Sequence, residues 1–442
     1  MKRIKLLGLI VLVALVNTGC IGLNSSVQGL LKPPKLPVQL EEIKQVVSSR
    51  YETELKYINP IKGEHTNSTQ FVDLDNDGVD EVLIFHKMER ASAPLRVMLL
   101  YQTEYGWQMN ETIEGIGFDI SRIEYSDLNA DGKMEILVGW QGGNTTKKGL
   151  SIYSYDSGIL EQSFETSYTE FAVGDMSGNG QLELLIIELD RTEGVSNATI
   201  YDSNFSYLDE TQMEGFINGY YNDVVGYAAE NQLGYFLDAS SGAHSAFTDL
   251  LVYKNDELQN VFYDSKWRRV DKTYKAYPAK TDDVDKDGII EIPLLRAPFG
   301  YEGSSMAETE WITTWYKWDG KTGLIFNSES YANGRLGFRY HFPFKWKQNM
   351  TVGLSGDELN HVTLYYVDSY SKHQTPVLDF VVADRINVES GLVDYTAEGY
   401  TEITRTLDRV YYAKAYDLSD DENLARIQAN LDEIRSGFRL EK

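Results

Sequence analysis

A nine-residue acidic formula that occurs four times constrains the fold of this chain more than any other feature. We call the copies loops one to four, and they are Asp73 to Glu81, Asp127 to Glu135, Asp175 to Glu183 and Asp283 to Glu291. Each copy has oxygen-bearing side chains at positions 1, 3, 5 and 9 and a glycine at position 6. The glycine lets the backbone reverse without a Cβ clash, so the oxygens converge on one point. Because hard cations prefer such oxygen ligands, the formula predicts hairpin loops that bind Ca²⁺.

The predicted ligands are the side chains at positions 1, 3, 5 and 9 and the main-chain carbonyl at position 7. They are Asp73, Asp75, Asp77, Val79 and Glu81; Asp127, Asn129, Asp131, Lys133 and Glu135; Asp175, Ser177, Asn179, Gln181 and Glu183; and Asp283, Asp285, Asp287, Ile289 and Glu291. Loops one and four carry the most carboxylates and loop three the fewest, so we expect calcium affinity to follow that order. Magnesium fits less well because it prefers rigid, water-rich octahedral coordination. A metal-free Asp/Asn/Gly turn is the alternative for any single loop.

The spacing of the loops indicates five repeats. The loops begin 54, 48 and 108 residues apart, and the last step is twice the first. One repeat has therefore lost its loop, at a phase that falls near Ala229. Apolar residues precede each loop, and β-rich runs follow it, such as Val82 to Phe85 and Leu184 to Ile187.

Four short strands in about 50 residues are typical of a β-propeller blade. The loops and strand order resemble the VCBS and FG-GAP repeats of integrin-alpha-like propellers. That resemblance implies a mainly β fold, with a propeller of about five four-stranded blades and calcium loops over residues 65–328. A small α+β sandwich domain follows over residues 329–442.

The segment after the repeats carries a different motif. Gly337 to Trp346 resembles the opening of PsbP-like α/β sandwich domains, and alternating strands follow it. Ser419 and Glu422 have the spacing of a capping box, and apolar residues then recur at helical spacing as far as Ile434. These features predict one helix near the C-terminus.

The N-terminus predicts a lipoprotein signal peptide over residues 1–20. A basic start and a short apolar run lead to Cys20, the single cysteine of the chain. This arrangement resembles a bacterial lipobox, which implies lipidation at Cys20 and an anchor in the cell membrane on the extracytoplasmic side. Residues 21–64 read as a spacer, with a short helix that places Leu40, Ile43 and Val47 on one face.

Charge and composition exclude several classes of function. The net charge of −26 repels nucleic acid and anionic membrane surfaces. The six histidines are scattered, and the sequence has no zinc-protease, phosphate-loop or nucleophile-elbow motif. The loops supply their own ligands, so we expect no catalytic residue in them.

The sequence therefore predicts a non-catalytic, lipid-anchored, calcium-binding surface protein of a bacterium that binds a protein or polysaccharide partner. The alternatives are an extracytoplasmic enzyme acting on polysaccharide and a structural component of the envelope. Trp311, Trp315 and Trp318 can form an aromatic binding platform, although packing between blades explains them equally well.

Overall fold

The computed structural model describes residues 38–50, 55–88, 94–143, 147–354 and 359–441. The predicted signal peptide, Cys20 and residues 21–37 and 51–54 of the predicted spacer lie outside these residues. The described chain is mainly β, as predicted from the sequence, and its strands fall into successive antiparallel sheets.

The first three sheets follow one another along the chain, and each runs as a simple meander apart from the start of sheet 1. Sheet 1 contains β1 (Lys56–Tyr57), β2 (Thr69–Val72), β3 (Glu81–Lys87), β4 (Leu95–Thr103) and β5 (Gly106–Glu114), with β1 and β2 both on β3. Sheet 2 contains β6 (Asp119–Ser126), β7 (Glu135–Gln141), β8 (Lys148–Asp156) and β9 (Ile159–Tyr168). Sheet 3 contains β10 (Glu170–Gly174), β11 (Glu183–Asp190), β12 (Val195–Tyr201) and β13 (Tyr207–Glu214).

The remaining sheets use the second half of the chain. Sheet 4 contains β14 (Gly219–Ala229), β15 (Gln232–Gly242), β16 (Ser245–Lys254) and β17 (Glu257–Asn260), and a ribbon of β18 (Tyr263–Asp264) and β19 (Arg269–Val270) follows it. Sheet 5 contains β20 (Ile292–Arg296), β21 (Ile312–Trp318), β22 (Leu324–Asn333), β23 (Phe338–His341) and β29 (Phe438–Leu440). The C-terminal sheet contains β24 (Met350–Leu354), β25 (His361–Val367), β26 (Gln374–Asp384), β27 (Thr401–Arg405) and β28 (Arg409–Ala415), in the order β24-β25-β26-β28-β27.

The helices are few and short. They are α1 (Val38–Arg50), α2 (Arg385–Glu389), α3 (Glu422–Ala425) and α4 (Leu431–Gly437). None of the helices in the described ranges has the length and apolar character needed to cross a bilayer.

The sheets stack face to face because their second strands are apolar on both sides. In β11, Leu184 and Ile186 pack towards sheet 2, whereas Leu185 and Ile187 pack towards sheet 4. The same alternation recurs in β3, β7 and β15. Successive side chains of a strand leave opposite faces, so a continuous apolar run needs a partner on each side.

Different elements cover the two ends of this stack. Ile43 and Val47 of α1 pack on the face of sheet 1 that is turned away from sheet 2. At the other end, one buried cluster joins sheet 5 to the C-terminal sheet and includes Phe338, Tyr340 and Phe380. No strand pairing or buried cluster among the described residues joins sheet 1 to sheet 5 or to the C-terminal sheet.

The first strands of sheets 2, 3 and 4, with the segment before β2 and Lys280, line a cavity of about 720 Å³, which we call the axial cavity. Its wall includes Lys62 before β2, Arg122 of β6, Val173 of β10, Asp223 of β14 and Lys280 before loop four. Lys62 pairs with Glu170 and Asp223, and Arg122 lies 3.0 Å from Asp223. These ion pairs connect sheets 2, 3 and 4 and the segment before β2 at the cavity.

The five repeats of the sequence coincide with sheets 1 to 5. Loops one, two and three join the first strand of their sheet to the second, and loop four precedes β20. In sheet 4, β14 and β15 are joined by a tight turn at Ala229, the position at which the sequence lacks an acidic loop. In loop four the first strand is reduced to one bridge between Asp282 and Glu291.

The C-terminal region differs from the sequence interpretation in two ways. The single predicted helix is instead two short helices, because Asp421 caps α3 and Asn430 caps α4 with a capping box to Glu433. A division of the chain between residues 328 and 329 falls inside β22, and β29 returns to pair with β23. Sheet 5 therefore contains residues from both sides of the predicted domain boundary.

Candidate metal centres

The four loops share one hydrogen-bonding scheme. In each loop the aspartate at position 1 accepts, through Oδ2, the N–H of the glycine at position 6, at 2.9 to 3.0 Å. The side chain at position 5 accepts the N–H of position 7, at 2.7 to 3.0 Å. The loop is thus held in shape by its own carboxylates and amides.

Two residues of each loop have left-handed backbone. The glycine at position 6 has φ between 86° and 89°, which suits a residue without a Cβ atom. Position 4 also has positive φ, and its residues are Asn76, Ala130, Gly178 and Lys286. The sequence formula predicted the left-handed residue at position 6. It did not predict the one at position 4, because that position carries no common residue type.

The glutamate at position 9 anchors each loop to its sheet. Glu81, Glu135, Glu183 and Glu291 are all buried, with at most 4% of their surface exposed. In each, Oε2 accepts the N–H of the residue at position 2, at 2.8 to 2.9 Å. A buried carboxylate needs partners for both oxygens. Because Oε2 has the same partner in every loop, the loops differ in what surrounds Oε1.

Loop one brings three carboxylates together. Oxygens of Asp73, Asp75 and Glu81 lie within 4.8 Å of one another. Tyr155 of sheet 2 donates its hydroxyl to Glu81 Oε1 at 3.2 Å. Oδ1 of Asp75 is buried and has no hydrogen-bond partner among the described residues. An oxygen in that position favours a cation, because leaving it unpaired costs about 1–3 kcal/mol.

Loop four brings four carboxylates together, and a lysine contacts three of them. Asp283, Asp285, Asp287 and Glu291 have oxygens within 4.8 Å of one another. Nζ of Lys317 lies 3.3 Å from Asp285 and 3.1 Å from Glu291, and it also pairs with Asp287. Burial lowers the pKa of Lys317, but the hydrogen bonds with Asp287 and Glu291 outweigh this and hold the pKa above its ordinary value. The lysine is therefore a fixed positive charge at this site.

In loops two and three, side chains of the loop itself donate hydrogen bonds to the carboxylates that would bind a metal. In loop two the amide of Asn129 lies 3.2 Å from Asp131 and 3.4 Å from Glu135. In loop three the hydroxyl of Ser177 donates to Glu183 Oε1 at 2.6 Å. Among the described residues, the clusters of converging carboxylates are those of loops one and four. The predicted ligands of loops two and three remain a prediction.

Burial changes the acidity of the position-9 glutamates of loops one, two and four. It raises the pKa of Glu81 to about 7, with a further contribution from the negative charge of Asp75. It also raises the pKa of Glu291 to about 7. The pKa of Glu135 is raised by burial as well. Metal binding at these positions therefore competes with protons near neutral pH.

The sequence analysis did not identify Tyr155 and Lys317. Both lie on strands that are distant in sequence from the carboxylates they contact, so loop spacing alone gives no signal for them. Of the three tryptophans of the proposed aromatic platform, Trp318 belongs to the buried core between sheets 4 and 5. Trp311 and Trp315 line a cavity that is described below.

No protein-family model matches this chain, and no curated protein is similar to it. Among solved structures it is similar to the exotype rhamnogalacturonan lyase YesX, with 10% identity over 73% of this chain and 74% of that chain and a TM-score of 0.33. A Bacillus licheniformis rhamnogalacturonan lyase gives 10% identity over 62% and 68%, with a TM-score of 0.33. The Dos1 propeller gives 12% identity over 69% and 66%, with a TM-score of 0.29. Similarities at these TM-scores carry no functional assignment to this chain.

We expect Lys317 to reduce the calcium affinity of loop four, because its ammonium group and a metal ion would require the same carboxylates. We expect Lys317→Gln to raise the affinity of that loop about tenfold, the size of effect that one partly buried charge produces. Calcium titration by calorimetry measures the change. Lys321→Gln, which removes an exposed lysine from the same hairpin, is the matched control. An unchanged or weaker affinity in Lys317→Gln would contradict the competition.

The raised pKa values of Glu81 and Glu291 predict opposite effects of pH on stability and on calcium affinity. Between pH 4.5 and about 7 the folded chain retains protons that the unfolded chain has lost. The free energy of unfolding without calcium therefore falls as pH rises through this range. Calcium affinity rises over the same range because the metal needs the ionised carboxylates.

Chemical denaturation and calcium titration at pH 5.5, 6.5 and 7.5 measure both slopes. The double variant Glu81→Gln, Glu291→Gln removes the two titrating groups and should flatten the stability profile. Calcium affinity that is constant across this range would rule out proton competition at these glutamates.

Proposed function

We propose that this chain is a calcium-binding protein of the bacterial cell surface, anchored by lipid, whose propeller binds a protein or polysaccharide partner without catalysis. The observation that carries the proposal is the convergence of carboxylate oxygens in loops one and four. The three carboxylates of loop one repel one another unless a cation lies among them. In loop four Lys317 supplies one positive charge against four carboxylates, so negative charge remains to attract a metal ion.

Calcium suits these loops better than other cations. The predicted ligands are all oxygens and include a main-chain carbonyl, and calcium accepts six to eight such ligands in irregular geometry. Both clusters carry three or more carboxylates and are partly exposed, so the ion can exchange with solvent. Dissociation constants on the order of 10⁻⁴ to 10⁻³ M are usual for extracellular modules.

The stacked sheets are arranged like consecutive blades of a propeller, with α1 and the C-terminal sheet covering the outer faces of sheets 1 and 5. Each of sheets 1 to 4 has a four-stranded meander, and the first strands of sheets 2, 3 and 4 line the axial cavity. The loops recur at the same position of successive sheets, as in the VCBS and FG-GAP repeats that the sequence resembles. About five blades and a PsbP-like C-terminal domain belong to this proposal.

The lipid anchor rests on the sequence of residues 1–20. A short apolar segment followed by Cys20 is the pattern of a lipidated N-terminus. Each buried CH₂ of an acyl chain contributes about 0.8 kcal/mol to membrane binding, so multiple chains retain the protein at the membrane. Cys20→Ser should release the protein from the membrane fraction, and its retention there would contradict the anchor.

A binding role fits the chemistry of the loops. The loop carboxylates accept hydrogen bonds from amides of the same hairpin. A metal ion bound to them would therefore stabilise the conformation of the loop. Ligation by the folded state alone stabilises a protein through mass action. Turnover of an offered polysaccharide would instead support an extracytoplasmic enzyme, and absence of any partner would favour a structural component of the envelope.

Calcium titration of the form that lacks residues 1–20 tests the metal assignment. We expect saturable binding with a gain in unfolding free energy of about 1.4 kcal/mol per site at ten times the Kd. Asp75→Asn should remove the loop-one site because it deletes a converging carboxylate. Asp80→Asn, which removes an exposed charge from position 8 of the same loop, is the matched control. Equal loss in both variants, or no binding by the parent protein, would contradict the proposal.

A further inference from the structure

A second cavity, of about 840 Å³, lies beside sheet 5, and we call it the Trp-Arg cavity. Its wall includes Tyr277, Trp311 and Trp315 together with Arg339, His341 and Arg439. The wall also includes Asp283, Val284 and Lys286 of loop four, together with Asp282 and Glu441, so this cavity adjoins that candidate metal centre. The predicted metal ligands do not account for its aromatic side chains or its arginines. Its volume lies in the range of small-ligand sites, about 300–1,000 Å³.

Two arginines face each other across adjacent strands at this cavity. Arg339 of β23 and Arg439 of β29 are direct partners in the antiparallel pairing. Like charges directly opposite one another destabilise a sheet. Glu441 accepts from Arg339 Nε at 2.5 Å, whereas Arg439 donates to the carbonyl of Phe438 at 2.7 Å. Glu441 therefore pairs with one arginine of the two. The rest of the wall carries two lysines and two further carboxylates, Lys280, Lys286, Asp282 and Asp283.

The alternation of β23 separates this charged face from the core. Phe338 and Tyr340 are buried in the cluster shared with the C-terminal sheet. Arg339 and His341 occupy the alternate positions and line the cavity. The arginines are therefore not held in place as core residues, and packing gives no reason for a second arginine opposite the first.

His341 is a neutral hydrogen-bonding group in the wall. Burial, followed by the charges of Arg339 and Arg439, lowers the pKa of His341 to about 4. The imidazole is neutral at pH 7 and offers one hydrogen-bond donor and one acceptor.

The aromatic side of the cavity is fixed in position. Trp311 is half-buried, and its Nε1 donates to the carbonyl of Met306 at 3.1 Å. The ring of Tyr277 meets it edge-on, with centroids 5.9 Å apart. Rigid aromatic rings with a polar edge offer apolar contact area to a ligand that also needs hydrogen bonds.

We propose that the Trp-Arg cavity binds a sugar unit that carries a carboxylate, as part of an acidic polysaccharide. The paired guanidinium groups match the planar, bidentate geometry of a carboxylate. The aromatic wall packs on the apolar face of the sugar ring, and His341 hydrogen-bonds its hydroxyl groups. This inference names the class of ligand for the proposed binding function. It rests on that function only in assuming that the protein binds a partner.

Titration of the full-length protein in detergent with tetraglucuronate tests the inference. Cellotetraose is the neutral counterpart with the same backbone, and inorganic phosphate is the anion without a sugar. We expect tetraglucuronate to bind at least about tenfold more tightly than either compound. Arg439→Gln and Trp311→Ala should each weaken that binding about tenfold. Arg435→Gln, an exposed arginine on α4, should leave it unchanged.

Several results would overturn the inference. Equal binding of tetraglucuronate and cellotetraose would remove the role of the arginines. Phosphate binding that matches tetraglucuronate and does not depend on Trp311 would reduce the cavity to a simple anion site. Absence of tetraglucuronate binding while calcium still binds to the same sample would overturn this inference and leave the calcium assignment intact. We expect the melting temperature of Arg439→Gln to equal or exceed that of the parent, because the substitution removes a repulsive pair.

Discussion

Burial of the second strand on both faces is the constraint on which the rest of this structure depends. Leu184 to Ile187 send alternate side chains into two different cores, and β3, β7 and β15 do the same. A sheet with such a strand at the end of the stack needs another element on its outer face, since apolar side chains there would otherwise be exposed to water. Helix α1 at one end and the C-terminal sheet at the other satisfy this requirement.

The acidic loops are placed by that stacking. Loops two and three connect a strand at the axial cavity to a doubly buried strand, and in all four loops the position-9 glutamate is buried where the following strand starts. Neighbouring sheets then complete the loops. Tyr155 of sheet 2 reaches Glu81 of sheet 1, and the N–H of Met134 in loop two donates to the carbonyl of Leu74 in loop one at 2.8 Å. A cation bound in loop one would therefore stabilise the contact between two sheets as well as one hairpin.

The sequence predicted the features that depend on local pattern. Strand runs on both sides of each acidic loop, and the missing loop near Ala229, could be read because each sheet is a meander of neighbouring segments. The continuous apolar runs after the loops also indicate that both faces of those strands are buried. The pairing of β29 with β23 and the approach of Lys317 to loop four depend on contacts distant in sequence, which periodicity does not encode. The C-terminal helix was predicted as one because its apolar spacing continues across Asn430, yet that side chain caps a new helix.

The central claim is that the converging carboxylates of loops one and four are calcium sites. Anomalous diffraction from crystals grown with calcium tests it most directly, because it locates the ion. The account predicts peaks 2.3–2.6 Å from carboxylate oxygens of Asp75 and Glu81 and of Asp285 and Glu291. Crystals that diffract well at saturating calcium and show no anomalous peak at either loop would contradict it.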